Sequence, residues 1–221
     1  MGKYYKLFMK HLKSQAKFLK NGFKKVKKIL TKSHNSRNIN GKNFEVKTSI
    51  ESYLINLKKY EKVIYAPKKK TGYYLRKETV NYIYIYTKKH GFQDYMKNEF
   101  NISLDKLFRL PDEAFIQIPK SNMKSKKVVI YIVENKHKND KCTDILMTGN
   151  EFKLEYESAL GKKFTINYAY VLNDKFFKNL QMKKFKYNHL RKRLHTNNIP
   201  VFNGDKKTYK KLMYNWLHKV H

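Results

Sequence analysis

Residues 128–133, VVIYIV, are continuously apolar, and the run ends in Glu134, Asn135 and Lys136. An unbroken apolar stretch rich in β-branched side chains reads as a strand buried on both faces, as in a sheet covered by helices on each side. A second apolar stretch, EAFIQI at 113–118, lies just before it, and Pro119 to Lys126 between them is rich in Lys, Ser and Asn. The two read as an antiparallel hairpin. A turn centred between Asn122 and Met123 sets Asp112 opposite Val133, one position from Glu134. Paired residues of such a ladder are only ~5 Å apart, so the two carboxylates converge. Glu134 and Lys136 are two apart on an extended chain and share a face, with backbones ~6.7 Å apart. Val133 and Asn135 point the other way, and Glu113 points away from Asp112, which makes it structural.

The remaining chain alternates between periods. Helices are predicted at 48–61, 73–89 and 150–160, the last closed by Gly161. Residues 164–172, FTINYAYVL, alternate as a strand, a basic helix follows at about 174–195, and Ile199 to Phe202 form a short strand. Asp205 is placed to cap a last helix running through Trp216. The fold class is therefore α/β, a mixed central sheet flanked by helices. Residues 1–44 contain no Asp or Glu, and apolar residues recur at steps of three or four from Tyr5 through Leu30. That is an amphipathic helix with a lysine face. Ser33 to Asn43 is a polar linker, so residues 1–43 read as a basic helical arm and linker, and 44–221 as the main domain. The arm suits contact with DNA, docking on the domain or, less well, an acidic membrane surface.

With 50 Lys and Arg against 17 Asp and Glu, the chain carries a formal charge of +33. A compact domain at that charge repels itself unless a polyanion screens it. Lys, Asn, Ile and Tyr, all common here, have A/T-rich codons, but a codon bias does not by itself remove acidic residues. Nucleic acid, DNA above all, is the expected partner. The single cysteine, Cys142, excludes an intrachain disulfide and a cysteine-rich zinc site. With no long apolar run and no secretory leader, an intracellular, unsecreted protein is expected.

Asp112, Glu134 and Lys136 are the candidate catalytic residues. Two adjacent carboxylates are unfavourable unless a cation lies between them. Oxygen donors without Cys or paired His suit Mg²⁺, or Mn²⁺, better than zinc. A lysine beside such a cation suits the developing charge of phosphodiester hydrolysis.

Pro111-Asp112, followed by Glu134-Asn135-Lys136 at the end of an apolar strand, resembles the PD-(D/E)XK nuclease superfamily. The segments RLPDEAFI, NEFKLEYESALG, FTINYAYVLND and NNIPVFNGD, in that order, resemble restriction-endonuclease-like proteins encoded by large DNA viruses, over roughly residues 72–220. The continuation HKNDKCTD after Lys136 departs from those relatives. The resemblance implies a restriction-endonuclease-like core, with Asp112 and Glu134 as metal ligands and Lys136 as the catalytic lysine. It also implies an acidic residue from the helix before the hairpin, for which Glu78 is the candidate. The activity implied is a metal-dependent endonuclease acting on duplex DNA. The alternatives are a repair or recombination nuclease and a non-catalytic nucleic-acid-binding protein with a nuclease-like fold. A homodimer is expected if one site per chain is to cut both strands. For phosphate contact the candidates are Lys183, Lys184, Lys186, Arg191 and Arg193, with Phe185 and Leu190 of the same segment facing the core.

Overall fold

The computed structural model describes residues 42–66, 72–105, 107, 109–123, 126–137 and 149–218. The arm and most of the linker read from residues 1–43 lie outside the described residues; Phe44 to His221 form one compact unit. That unit is α/β. A seven-stranded mixed sheet runs in the order β1 (Glu61–Ile64), β2 (Tyr73–Glu78), β3 (Tyr82–Lys88), β4 (Glu113–Pro119), β5 (Val128–Lys136), β6 (Phe164–Leu172) and β7 (Val201–Asn203). β1 to β5 are antiparallel neighbours, whereas β6 and β7 run parallel to β5.

Helices cover both faces. α1 (residues 42–48), α2 (Glu51–Asn56) and α7 (Tyr209–Leu217) lie on one. α3 (Lys89–Phe100), α4 (Gly149–Leu160), α5 (Asp174–Leu180) and α6 (Phe185–Thr196) lie on the other. The pleat divides the core accordingly. Ala114, Ile116, Ile130 and Ile132 pack with Phe92, Tyr156 and Leu190. Phe115, Tyr131 and Val133 pack with Leu54, Tyr209 and Met213. This explains the continuous VVIYIV run: each side chain of β5 meets an apolar layer, whichever face it takes.

Several sequence expectations change, and the helix expected over 48–61 is confined to Glu51–Asn56, with β1 starting at Glu61. Residues 73–89 are not a helix but the hairpin β2–β3, closed at Thr79, whose N–H donates to Tyr82 O and whose Oγ1 accepts from Tyr82 N. Aromatic and β-branched side chains every second residue fit this pleat, and Tyr82, Tyr84 and Tyr86 are buried on one face of it. The helix in this region is α3, which begins where β3 ends. The basic stretch 174–195 is broken into α5 and α6, and only Leu190 of the pair Phe185 and Leu190 is buried; Phe185 is 88% exposed. Asp205 does not cap α7, whose N-cap is Thr208; it accepts from Asp174 N and pairs with Lys47.

The β4–β5 register is also one residue from expectation, with Glu113 opposite Val133. The connection contains a 3-10 turn at Ser121–Met123, so its centre is displaced. Glu113 consequently lies on the second face, 3% exposed, and its carboxylate accepts from Tyr86 Oη at 3.0 Å. Burial pushes its pKa up from the ordinary 4.5 to about 7, against the opposing pull of Ser49, Lys88 and Tyr86. The folded chain therefore holds this proton more tightly than the unfolded chain. The stability it contributes is complete below the ordinary 4.5 and is lost as pH rises through about 7. The loss amounts to about 3 kcal/mol. Thermal melts at pH 5 and pH 8 are expected to show Glu113→Gln losing less stability between the two than wild type. Parallel behaviour of the two proteins would mean that Glu113 does not titrate in this range.

Candidate active site

The carboxylates meet where β4 begins and β5 ends. Asp112 is 8% exposed, Glu134 1% and Lys136 6%. Asp112 Oδ2 accepts from the backbone N–H of Asn135 at 2.8 Å, which ties the start of one strand to the end of the next. Lys136 Nζ lies 2.5 Å from Glu134 Oε2, as the two-residue spacing on an extended strand predicts.

Two further cations come from outside the hairpin. Arg109 Nη2 is 3.0 Å from Glu134 Oε2, with its side chain 37% exposed. Its main-chain carbonyl accepts from Tyr156 Oη of α4 at 2.7 Å, which anchors this part of the loop. Lys89, the first residue of α3, places Nζ 3.8 Å from Asp112 Oδ1. Burial raises the Glu134 pKa; Lys136 and Arg109 oppose that and Asp112 adds to it. Burial acts to lower the Arg109 pKa, but the charges of Glu134 and Asp112 hold it above its ordinary value.

A third carboxylate approaches from α1. The Glu45 pKa is raised, first by burial and then by the charge of Asp112, while Lys89, Lys136 and Arg109 pull it down. These four neighbours place Glu45 in the electrostatic field of the cluster. α1 is held there by Thr48, whose Oγ1 donates to Asn135 Oδ1 at 2.9 Å, and by Phe44, whose ring lies 5.3 Å from that of His137. Gly204 makes the approach possible. A Cβ on Gly204 would come within 2.5 Å of Thr48 Cγ2 and 2.8 Å of Val171 Cγ1.

Glu78 is not part of this arrangement. It ends β2, which pairs with β3 so that Glu78 faces Ile83, and its carboxylate binds Lys120 and Arg76. The Asp112 end of the sheet lies at the opposite end of β3, where Lys88 pairs with Glu113. The assignment of Glu78 as a metal ligand is therefore corrected. It rested on reading 73–89 as one helix, whereas in a hairpin residue 78 lies at the turn. Sequence reasoning missed Glu45, Arg109 and Lys89. A signal for Glu45 was present, since it is the first acidic residue of the chain. Arg109 and Lys89 carried none, because nothing distinguishes them among 50 Lys and Arg.

The basic candidates on α6 and before it divide. Lys183, Lys184 and Lys186 are exposed. Arg191 is committed to structure, its guanidinium donating to the carbonyls of Leu180 and Met182 at the end of α5 and to Asn188. Arg193 lies 3.4 Å from Glu151 of α4.

Among the described residues no group of three His, Cys, Asp or Glu side chains is gathered closely enough to hold a metal by itself. The donor set nevertheless suits a hard cation that keeps most of its water. Mg²⁺ is commonly bound by one or two carboxylates together with substrate phosphate oxygens. Asp112 and Glu134 offer two, on neighbouring strands. Among the described residues no helix is long and apolar enough to cross a membrane. Comparison of the chain with protein-family models, with curated proteins and with solved structures finds no match.

Proposed function

We propose that the chain is a metal-dependent endonuclease that hydrolyses DNA phosphodiester bonds, with a restriction-endonuclease-like core. The observation that carries the reading is the convergence of Asp112, Glu134 and Lys136, three buried charged groups on adjoining strand ends of a strongly basic chain. Burying charges is costly, and a buried ion pair is a poor source of stability. Two carboxylates facing three cations suit a site whose work is done on a charged substrate. The order β3, β4, β5, α4, β6, with β6 parallel to β5, supports the restriction-endonuclease-like core, α3 being inserted between β3 and β4.

Asp112 and Glu134 are the residues that would hold Mg²⁺ or Mn²⁺, with Glu45 in their electrostatic field. When bound, the cation supplies Lewis acidity at a phosphoryl oxygen. The chain's own groups do the rest. Lys136 presents a fixed ammonium to the negative charge that grows on the phosphate, which is the form of electrostatic stabilisation that requires no reorganisation. Arg109 and Lys89, both partly exposed, are the cations beside the carboxylates that can meet substrate phosphate oxygens. Lys183, Lys184 and Lys186 add salt-sensitive affinity without sequence information. A homodimer would present one such site to each strand. A basic helical arm in residues 1–43 would add further contact.

Supercoiled and linear DNA incubated with the full chain are expected to be cut with Mg²⁺ or Mn²⁺ and left whole with chelator. Asp112→Ala is expected to abolish cutting in either metal. Discrete fragments would indicate sequence-specific cleavage. Salt-sensitive binding with no cutting, unchanged in Asp112→Ala, would instead favour a DNA-binding protein without catalysis, the reading that the charge of +33 supports independently.

A further inference from the structure

The turn between α5 and α6 displays a ring that the packing of the chain leaves unused. Phe185, the first residue of α6, is 88% exposed, the most exposed large apolar side chain among the described residues. A single exposed apolar residue is ordinary on a protein surface. The surroundings of this one are not. Residues 181–186, Gln-Met-Lys-Lys-Phe-Lys, are all exposed and contain no Asp or Glu. The ring therefore stands between Lys184 and Lys186, with Lys183 next in the chain.

The turn is held in place. The Arg191 guanidinium donates to the main-chain carbonyls of Leu180 and Met182, and Met182 N donates to Asn179 O. Tyr187, Leu190 and Leu194 bury α6 in the core. Phe185 is thus presented from fixed backbone, and an aromatic ring with two torsions loses little entropy on contact.

The chemistry selects the partner. Nucleic acid and an acidic lipid surface both combine negative charge with apolar area. A lipid surface takes up the apolar face of a helix, and α6 offers none, because its other apolar residues, Tyr187, Leu190 and Leu194, are buried. A base requires only one ring. Stacking on an aromatic side chain tolerates any base and uses the face of an unpaired one. Lysines beside the ring then meet the phosphates of the same strand.

We propose that Phe185 stacks on an unpaired base of single-stranded DNA, with Lys183, Lys184 and Lys186 on the adjoining phosphates. This surface favours unpaired segments over intact duplex, a substrate class that phosphate contacts alone leave open. The proposal rests on the DNA reading given above, but not on the carboxylate cluster.

The test is equilibrium binding of the full chain, with chelator present and at fixed salt, to three DNAs. They are a thymidine homopolymer, a strand of equal length made of abasic residues, and a relaxed closed-circular duplex. Wild type is expected to hold the thymidine strand about tenfold or more tighter than the abasic strand, which keeps the phosphates and lacks the bases. Phe185→Ala is expected to lose that preference and to bind duplex as wild type does; Phe185→Trp keeps it. Substitution at so exposed a position leaves the fold intact, which the melting temperature checks. A Lys183→Ala/Lys184→Ala/Lys186→Ala variant is expected to weaken both strands alike and to flatten the salt dependence. Asp112→Ala is expected to bind as wild type does. No preference for bases in wild type, or a preference that survives Phe185→Ala, would overturn the proposal while metal-dependent cutting still upheld the nuclease reading. Failure to bind any of the three DNAs would overturn both. Loss in Phe185→Ala of binding to phosphatidylserine vesicles, or of self-association in sedimentation, with the base preference unchanged, would give this surface to lipid or to a second copy of the chain instead.

Discussion

Lys136→Met is expected to lower the rate of metal-supported DNA cleavage by about 10²–10³-fold, the usual cost of removing one fixed donor to developing charge. Methionine keeps most of the apolar stem and removes only the ammonium, so packing at this 6% exposed position changes little. Glu134 would still have Arg109 at 3.0 Å, which limits the stability loss that follows when a buried charge loses its partner. DNA affinity is expected to change little, because one charge among 50 Lys and Arg is removed. The measurement is single-turnover cleavage beside equilibrium DNA binding, at fixed salt. Cleavage within a few-fold of wild type in a folded Lys136→Met protein would refute the role given to Lys136. It would also remove the main reason for placing hydrolysis at the ends of β4 and β5.

Glu45→Gln and Glu78→Gln are expected to separate cleanly. Glu45 lies in the field of Asp112, Lys89, Lys136 and Arg109, whereas Glu78 is bound to Lys120 and Arg76 at the far end of β3. Neutralising Glu45 is expected to raise the Mg²⁺ concentration for half-maximal cleavage by about 10–100-fold, the range for groups that support a metal site. The same change at Glu78 is expected to leave that concentration where it was. A metal titration of the cleavage rate reads both. A shift in Glu78→Gln with none in Glu45→Gln would reverse the correction made from the fold. Equal titrations in all three proteins would show that α1 contributes nothing to cation binding.

Local pattern alone carried a good part of the molecule. The strand at 164–172 and the helix closed by Gly161, whose φ is +76°, are where periodicity and stop signals put them, and the strand expected over 128–134 runs two residues further, to Lys136. A helical covering on both sides of the sheet follows from the unbroken apolar run before Glu134. The neighbourhood of Asp112, Glu134 and Lys136 was also legible, since a short hairpin leaves few ways to pair two strands and period two settles the face. A one-residue error in register did not separate the carboxylates, because they lie at adjoining strand ends.

What tertiary structure decided lies elsewhere. The tyrosine and isoleucine content of residues 73–89 favours strand, and only their place before the motif favours helix; pairing of β3 with both β2 and β4 makes them a hairpin and carries Glu78 away from Asp112. Glu45, Lys89 and Arg109 reach the site through α1, α3 and the loop before β4, at sequence distances that no local pattern encodes. Their arrival depends on contacts such as Thr48 with Asn135, Tyr156 with the Arg109 carbonyl, and the space left by Gly204. Periodicity specifies which way a side chain points from its own element, but which foreign charges face it is set only when the elements pack.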